Sequence, residues 1–98
     1  MNELHSLWGI VLLDKKVRVS LEKIIGLLIE LHEKEEMTLE ESRKIIGDKA
    51  SHPIIIRTLE KLNVLERYRC ENRYCIKLTD IGEKIVTAYN ELDKSIIE

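Results

Sequence analysis

Phenylalanine and glutamine are absent from this chain of 98 residues, which also has a single proline and a single tryptophan. Isoleucine, leucine, glutamate and lysine dominate the composition instead. Loss of thermolabile amides together with enrichment in Lys and Glu is the bias of hyperthermophile proteins. The composition therefore predicts a thermophilic source.

Long apolar runs are also lacking. The run over residues 7–13 has no basic start and meets Asp14 without a small-residue cleavage site, unlike a secretory signal. It is far shorter than the roughly 20 apolar residues that span a bilayer. We therefore expect a cytoplasmic protein with no membrane partner, or one in the host cytoplasm if the source is a virus.

Sequence motifs for catalysis and for metal binding are missing as well. The chain has no Gly-rich phosphate loop and no nucleophile motif. His5, His32 and His52 fall in three separate segments, and two cysteines without a second ligand pair do not make a metal site. The sequence predicts neither an enzyme nor a protein that needs a cofactor or a metal.

What is present suits one globular domain, because 44% of the residues are apolar and the length allows a single core. At its centre, Thr38 and Glu41 have the spacing of a capping box that starts a helix. Gly47 suits the left-handed position that ends this helix.

A second helix is predicted shortly afterwards. Ser51 or His52 would cap it, and Pro53 falls in its first turn, where a missing N–H costs nothing. Asn63 suits the left-handed position at its end. Three apolar residues at helical spacing would face the core, namely Ile55, Leu59 and Leu62.

A β-hairpin is predicted after Asn63, with strands over residues 64–69 and 74–78 and a turn over 70–73. Cys70 and Cys75 flank this turn. If the register makes them opposite or diagonal neighbours, a disulfide would staple the hairpin, an arrangement tolerated inside hyperthermophile cells. Two free thiols are the equal alternative.

Three pieces of this pattern resemble the winged helix-turn-helix of MarR- and PadR-like transcription regulators, particularly short archaeal and archaeal-virus forms. They are residues 59–65 (LEKLNVL), Arg73 and residues 78–82 (LTDIG). In that family they form the end of the recognition helix, the wing and a strand-to-helix junction. The resemblance implies an α+β, mainly α fold with a two-stranded wing, a short third strand at Met37–Thr38 and terminal dimerisation helices. Asn63 replaces the family's usual glycine, a conservative change.

Charge is unevenly distributed, although the net charge is only −2. Residues 43–77 hold nine basic and four acidic groups, whereas residues 1–42 and 78–98 are both net acidic. The basic block coincides with the predicted helix-turn-helix and hairpin, where phosphates would lie. The sequence therefore predicts double-stranded DNA as a partner.

Roles in DNA binding follow from this placement. The N-terminal part of a recognition helix meets base edges, so we expect it to contact DNA through Ser51, His52, Ile54, Arg57, Thr58 and Lys61, with His52 and Arg57 as the best base readers. A helix cap is the equal alternative for His52. Phosphates would be held by Ser42, Arg43, Lys44 and Lys49. Wing contacts would come from Arg67, Arg69 and Arg73, unless these pair with Glu66 and Glu71.

The two ends of the chain are predicted to form a homodimer interface. Residues 1–19 contain an apolar segment, read as a helix or as a strand over residues 8–13. Ser20 would cap a core helix carrying Leu21, Ile24, Ile25, Leu28 and Leu31. Residues 79–98, capped by Thr79, carry a narrow apolar stripe typical of a helix–helix seam. The predicted interface residues are Leu4, Leu7, Trp8, Val11, Ile85, Tyr89, Leu92 and Ile96.

We therefore expect a single winged-helix domain over residues 1–98, with its core at 20–78, that binds DNA sequence-specifically as a homodimeric transcription regulator. A winged-helix module that binds another protein is the alternative, because one fold serves both functions. Such a module has no need of arginines along the hairpin. A small-molecule effector is not expected, since no spare segment is evident to line a cavity.

Overall fold

Five helices and a three-stranded antiparallel sheet form the described part of the chain, residues 3–13 and 15–97 of a computed structural model. The order is α1 (Glu3–Leu13), α2 (Leu21–Lys34), β1 (Met37–Thr38), α3 (Leu39–Ile46), α4 (Ser51–Lys61), β2 (Leu65–Cys70), β3 (Arg73–Leu78) and α5 (Asp80–Ile97). The predicted α+β, mainly helical class is confirmed.

Local signals set most of the helix ends. Ser20 caps α2, and Thr38 forms the predicted capping box with Glu41 at the start of α3. Gly47 ends α3 in the left-handed conformation, with φ at 76°. Asn63 adopts φ of 61° just after α4, as predicted. Each of these signals depends only on residues close to it in the sequence.

The start of α4 differs from the prediction. Ala50 occupies the N-cap position and makes no side-chain cap bond, while Ser51 and His52 both lie inside the first turn. The prediction that either residue caps the helix is therefore wrong. Pro53 does lie in the first turn, where it was expected.

The sheet has the strand order β1-β3-β2. Met37 and Thr38 pair with Ile76 and Cys75, so the predicted short third strand is confirmed. Cys70 pairs with Arg73, which leaves a two-residue turn and extends each predicted strand by one residue at that end.

The core lies between the helices and one face of the sheet. Ile10 and Leu13 bury the inner side of α1, so this segment is a helix and not a strand. In α2, Leu27 is buried although it was not predicted to be, whereas Leu21 and Ile25 are only half-buried. The remaining core side chains come from α3, α4 and the strands, mainly Ile46, Ile55, Ile56, Leu59, Leu65 and Ile76.

The junction between β3 and α5 is tightly built. Thr79 donates its hydroxyl to the backbone oxygens of Asn63 and Val64, and its Oγ1 accepts the N–H of Gly82 at 3.1 Å. A Cβ at Gly82 would collide with the backbone oxygen of Val64. Gly82 is therefore required by the close approach of α5 to the chain that follows α4, and Thr79 bonds the two segments together.

Within the part of the chain described above, none of the helices is both long enough and apolar enough to cross a membrane.

Candidate nucleic-acid interface

One face of α4 is exposed and carries mixed chemistry. Ile54 is 45% exposed, and Arg57 and Lys61 are exposed at spacings of three and four residues. Residues at these spacings share one helix face. Thr58 is half-buried beside this face. The side chains of this exposed face project away from the core. The opposite face of α4 packs into the core through Ile55, Ile56 and Leu59.

Three residues expected on the outside are instead buried, so that prediction is wrong. They are Ser42, Ser51 and His52, of which the last is 5% exposed. The Oγ of Ser42 lies 2.7 Å from Nε2 of His52 and donates its own hydrogen to the backbone oxygen of Leu39. The N–H of His52 at Nε2 therefore donates to Ser42 and ties α4 to α3.

Ser51 has a similar structural role. Its hydroxyl donates to Oδ2 of Asp48 at 2.5 Å and accepts the backbone N–H of Arg18 at 3.1 Å. These bonds hold the connection before α4 and the segment before α2 together. In native proteins buried polar groups make hydrogen bonds of this kind. Sequence periodicity does not reveal such hydrogen-bond partners.

Electrostatics at His52 are unusual. Burial of the ring lowers the pKa of His52 below its ordinary value of 6.5, and the nearby cations Arg43 and Arg67 lower it further. The imidazole is therefore held neutral, as a helix-to-helix bond donor. It is not available to a ligand.

The cations predicted to hold phosphates are exposed. Arg43 and Lys44 lie in the last turn of α3, and Lys49 lies in the connection to α4. Because α3 packs against α4, these three cations belong to the same pair of helices as Arg57 and Lys61.

The three hairpin arginines have different surroundings. The Nη2 of Arg67 lies 2.7 Å from Oε1 of Glu60 on α4, so its partner is neither Glu66 nor Glu71. Arg69 is exposed, with its guanidinium 6.0 Å from the ring centre of Tyr74. Arg73 is exposed beside the turn. Arg67 thus braces the hairpin against α4, while Arg69 and Arg73 face solvent.

Cys70 and Cys75 are diagonal neighbours on one face of the hairpin, because Cys75 pairs with Tyr68 and Cys70 with Arg73. Their sulfurs lie at disulfide-bonding distance and their Cα atoms are 5.9 Å apart, within the range for a disulfide. The stapled alternative for the hairpin is therefore the one observed.

A search of the described residues found no group of three or more His, Cys, Asp or Glu side chains placed to hold a metal ion.

A second feature, which the sequence did not indicate, is an apolar groove of about 300 Å³ between three helices. Its walls include Val11 from α1, Ile25 and Ile29 from α2, and Ile85, Tyr89 and Leu92 from α5. The expectation that no segment lines a cavity is wrong, because α2 and α5 leave part of their apolar faces uncovered. Periodicity identifies an apolar face but not what covers it.

Several apolar side chains on α1 and α5 are exposed. Of the residues that line the groove, Leu92 is 61% exposed, and Val11 and Tyr89 are also exposed. Outside the groove, Trp8 is 66% exposed and Leu12 is exposed on α1. The predicted interface residues Leu4, Leu7 and Ile96 lie outside the side chains that the structure describes.

Comparison of the chain with protein-family models, with curated proteins and with solved structures found no match. What the surfaces bind must therefore be inferred from their own charge and shape.

Proposed function

We propose that this protein is a winged helix-turn-helix that binds double-stranded DNA sequence-specifically as a homodimer and regulates transcription. One observation carries the proposal: exposed cations of a net acidic chain are concentrated between residues 43 and 77. They are Arg43, Lys44, Lys49, Arg57, Lys61, Arg67, Arg69, Arg73 and Lys77, of which Arg67 and Lys77 pair with Glu60 and Glu66. Such a concentration is the electrostatic footprint of a nucleic-acid binder.

The order of elements supports this assignment. Two helices joined by a four-residue connection are followed by a two-stranded hairpin that pairs with a short strand before the first helix. In helix-turn-helix proteins the second helix enters the major groove and its first turns meet base edges. Here that helix is α4, and the exposed residues of its first turns are Pro53, Ile54 and Arg57.

Base reading is assigned to two exposed residues of α4. Arg57 has the fork of donors that bonds O6 and N7 of guanine, and Ile54 presents an apolar surface suited to a thymine methyl group. Lys61 and the half-buried Thr58 lie at the far end of the same face. Ser51 and His52 are left out because they are buried.

Phosphate contacts are assigned to Arg43, Lys44 and Lys49, which would orient the protein without reading sequence. Arg69 and Arg73 on the hairpin suit a narrow minor groove, whose negative potential attracts arginine. Arg67 positions the hairpin through its ion pair with Glu60.

The dimer is assigned to α1 and α5, whose exposed apolar residues include Trp8, Val11, Tyr89 and Leu92. Contiguous apolar surface of this kind marks an interaction site. Two copies would present two α4 helices to a pseudo-palindromic site, with half-sites about 34 Å apart or a multiple of that spacing.

Binding to mixed-sequence duplex DNA as a function of salt tests the proposal. Log affinity should fall linearly with log salt, with a slope of about −0.9 for each phosphate contacted. Lys44→Ala and Arg73→Ala should both weaken binding and make the slope shallower, because each removes a cation assigned to the DNA backbone or groove. The matched control is Lys34→Ala, since Lys34 lies near Glu30 and Glu41 in the acidic part of the chain; it should bind as wild type.

No binding at low salt, or variants that behave as wild type, would overturn the DNA assignment. The winged-helix protein-interaction module would then be the better candidate, because the exposed apolar groove also suits a protein partner.

A further inference from the structure

The four glycines of the chain differ in whether the fold requires them. A Cβ at Gly9 would collide with Leu62, and one at Gly82 would collide with the backbone of Val64. Gly47 has a positive φ. Gly26 is different: it lies inside α2, is exposed, and apart from its chain neighbours and the backbone of its own helix has no heavy atom within 4 Å of the position of a Cβ.

Gly26 lowers the stability of α2, and no contact within the described chain requires a glycine at this position. Glycine in the middle of a helix destabilises it by roughly 0.5–1 kcal/mol relative to alanine. What glycine offers in return is a close approach by another group to the helix backbone. Since nothing in the described chain approaches Gly26, the approaching group would come from another molecule.

The neighbourhood of Gly26 indicates which surface that molecule covers. Ile29 lies three residues further along α2, on the adjoining part of the helix surface, and it lines the apolar groove. On the opposite wall, Val11 lines the groove and Trp8 lies three residues before it on α1. A projecting tryptophan and an empty groove therefore adjoin each other on one surface.

A surface that carries both a projecting side chain and a groove can pair with a second copy of itself. In a two-fold dimer the same patch of both subunits meets, so a residue of one copy contacts the recess of the other and the reverse contact forms as well. Trp8 does not fill the groove of its own chain, because it is 66% exposed.

We infer that a second copy of this chain covers the apolar groove, with Trp8 of each copy seated in the groove of the other and a helix of the partner packed closely over Gly26. The inference deepens the dimer part of the proposed function and rests on it, but it does not depend on DNA binding. It extends the interface from α1 and α5 to α2.

The tryptophan itself is the probe, because Trp8 is the only one in the chain. Wild-type protein without DNA is diluted from high to low micromolar and then nanomolar concentration, and both its mass by sedimentation and its tryptophan emission are followed. We expect a dimer at high concentration. Its dissociation should coincide with a red shift of the emission, as Trp8 moves from an apolar groove into water.

Two variants separate the interface from the fold. Trp8→Ala removes an exposed side chain, and Gly26→Gln adds a helix-favouring side chain in open space. Each should raise the dimer dissociation constant at least about tenfold, the usual effect of losing a central interface contact. Gly26→Gln should also leave the monomer as stable as wild type or more so, as measured by chemical unfolding under dissociating conditions.

Glu36→Ala is the control, because Glu36 is exposed between α2 and β1 and does not line the groove; it should dimerise as wild type. A chain that stays monomeric at high concentration overturns the inference, and the groove then belongs to a different ligand. A dimer whose tryptophan emission does not change, or whose affinity is untouched by both variants, overturns it too. In either case the proposal that the basic residues bind DNA is tested by a separate experiment, so the failure of the dimer inference does not decide it.

Discussion

His52 shows how one buried residue makes the fold sensitive to pH. Its pKa lies below 6.5 in the folded chain because the ring is buried near Arg43 and Arg67, whereas the unfolded chain has the ordinary value. The unfolded state therefore binds this proton at higher pH than the native state. The free energy of unfolding should fall as pH drops below about 6.5, until the pH lies below the folded pKa as well.

The comparison that checks this uses His52→Gln, since a glutamine amide retains an N–H donor for Ser42 but does not titrate. Urea unfolding of both proteins is measured from mildly acidic to neutral pH, where all other titrating groups are common to the two. Wild type should lose stability relative to the variant as pH falls. A constant difference across this range would mean that the folded pKa of His52 is not lowered.

The β2–β3 hairpin is the element most dependent on a single covalent bond. Cys70 and Cys75 lie only five positions apart in the sequence, so the bond restrains a short loop. Loop-closure entropy for so short a loop corresponds to about 2 kcal/mol. We expect the double variant Cys70→Ser/Cys75→Ala to lose about that amount of unfolding free energy; alanine replaces Cys75 because this residue is buried.

Chemical unfolding in the presence and absence of a dithiol reductant measures this contribution. Reductant should destabilise the wild type and leave the double variant unchanged. If reduction has no effect on the wild type, the hairpin does not depend on the disulfide, and its strand pairing, its buried residues Leu65 and Ile76 and the Arg67–Glu60 ion pair suffice to hold it.

Element ends are the part of this fold that sequence predicts well. The capping box at Thr38, the left-handed positions at Gly47 and Asn63, and the cap at Thr79 depend on bonds between residues close in sequence or on local φ. These helix ends can therefore be predicted from the sequence without knowledge of the tertiary structure. The strand pairing of the hairpin is similarly local.

The candidate site was only partly predictable, for the converse reason. Arg57 and Lys61 lie on the expected face because helical spacing determines it. His52 was assigned to the outside, because its partner Ser42 lies ten residues away on another helix. From sequence alone, polar residues such as His52 are predicted to be exposed, because the hydrogen-bond partners that allow them to be buried come from distant parts of the chain. The groove beside Trp8 was missed because three separate helices form it.

At the scale of the whole molecule, two surfaces of opposite character are combined in 98 residues. The cations are concentrated on α3, α4 and the hairpin, while the apolar groove lies between α1, α2 and α5. If two copies pair through the groove as we propose, the basic residues of both copies would stay accessible to DNA, because none of them lines the groove apart from Lys84 of the acidic C-terminal segment.

This separation makes the salt dependence of DNA binding a measure of subunit number. A dimer with both α4 helices on DNA would contact about twice as many phosphates as one copy, and the slope of log affinity against log salt scales with that number. Trp8→Ala, used at a concentration where it is monomeric and wild type is still dimeric, should therefore bind a duplex spanning two half-sites with about half the wild-type slope. Fluorescence anisotropy over a salt series measures both slopes, with Glu36→Ala as the dimeric control. An unchanged slope in a variant shown to be monomeric would mean that one copy makes all the phosphate contacts, and the two-half-site geometry would be wrong.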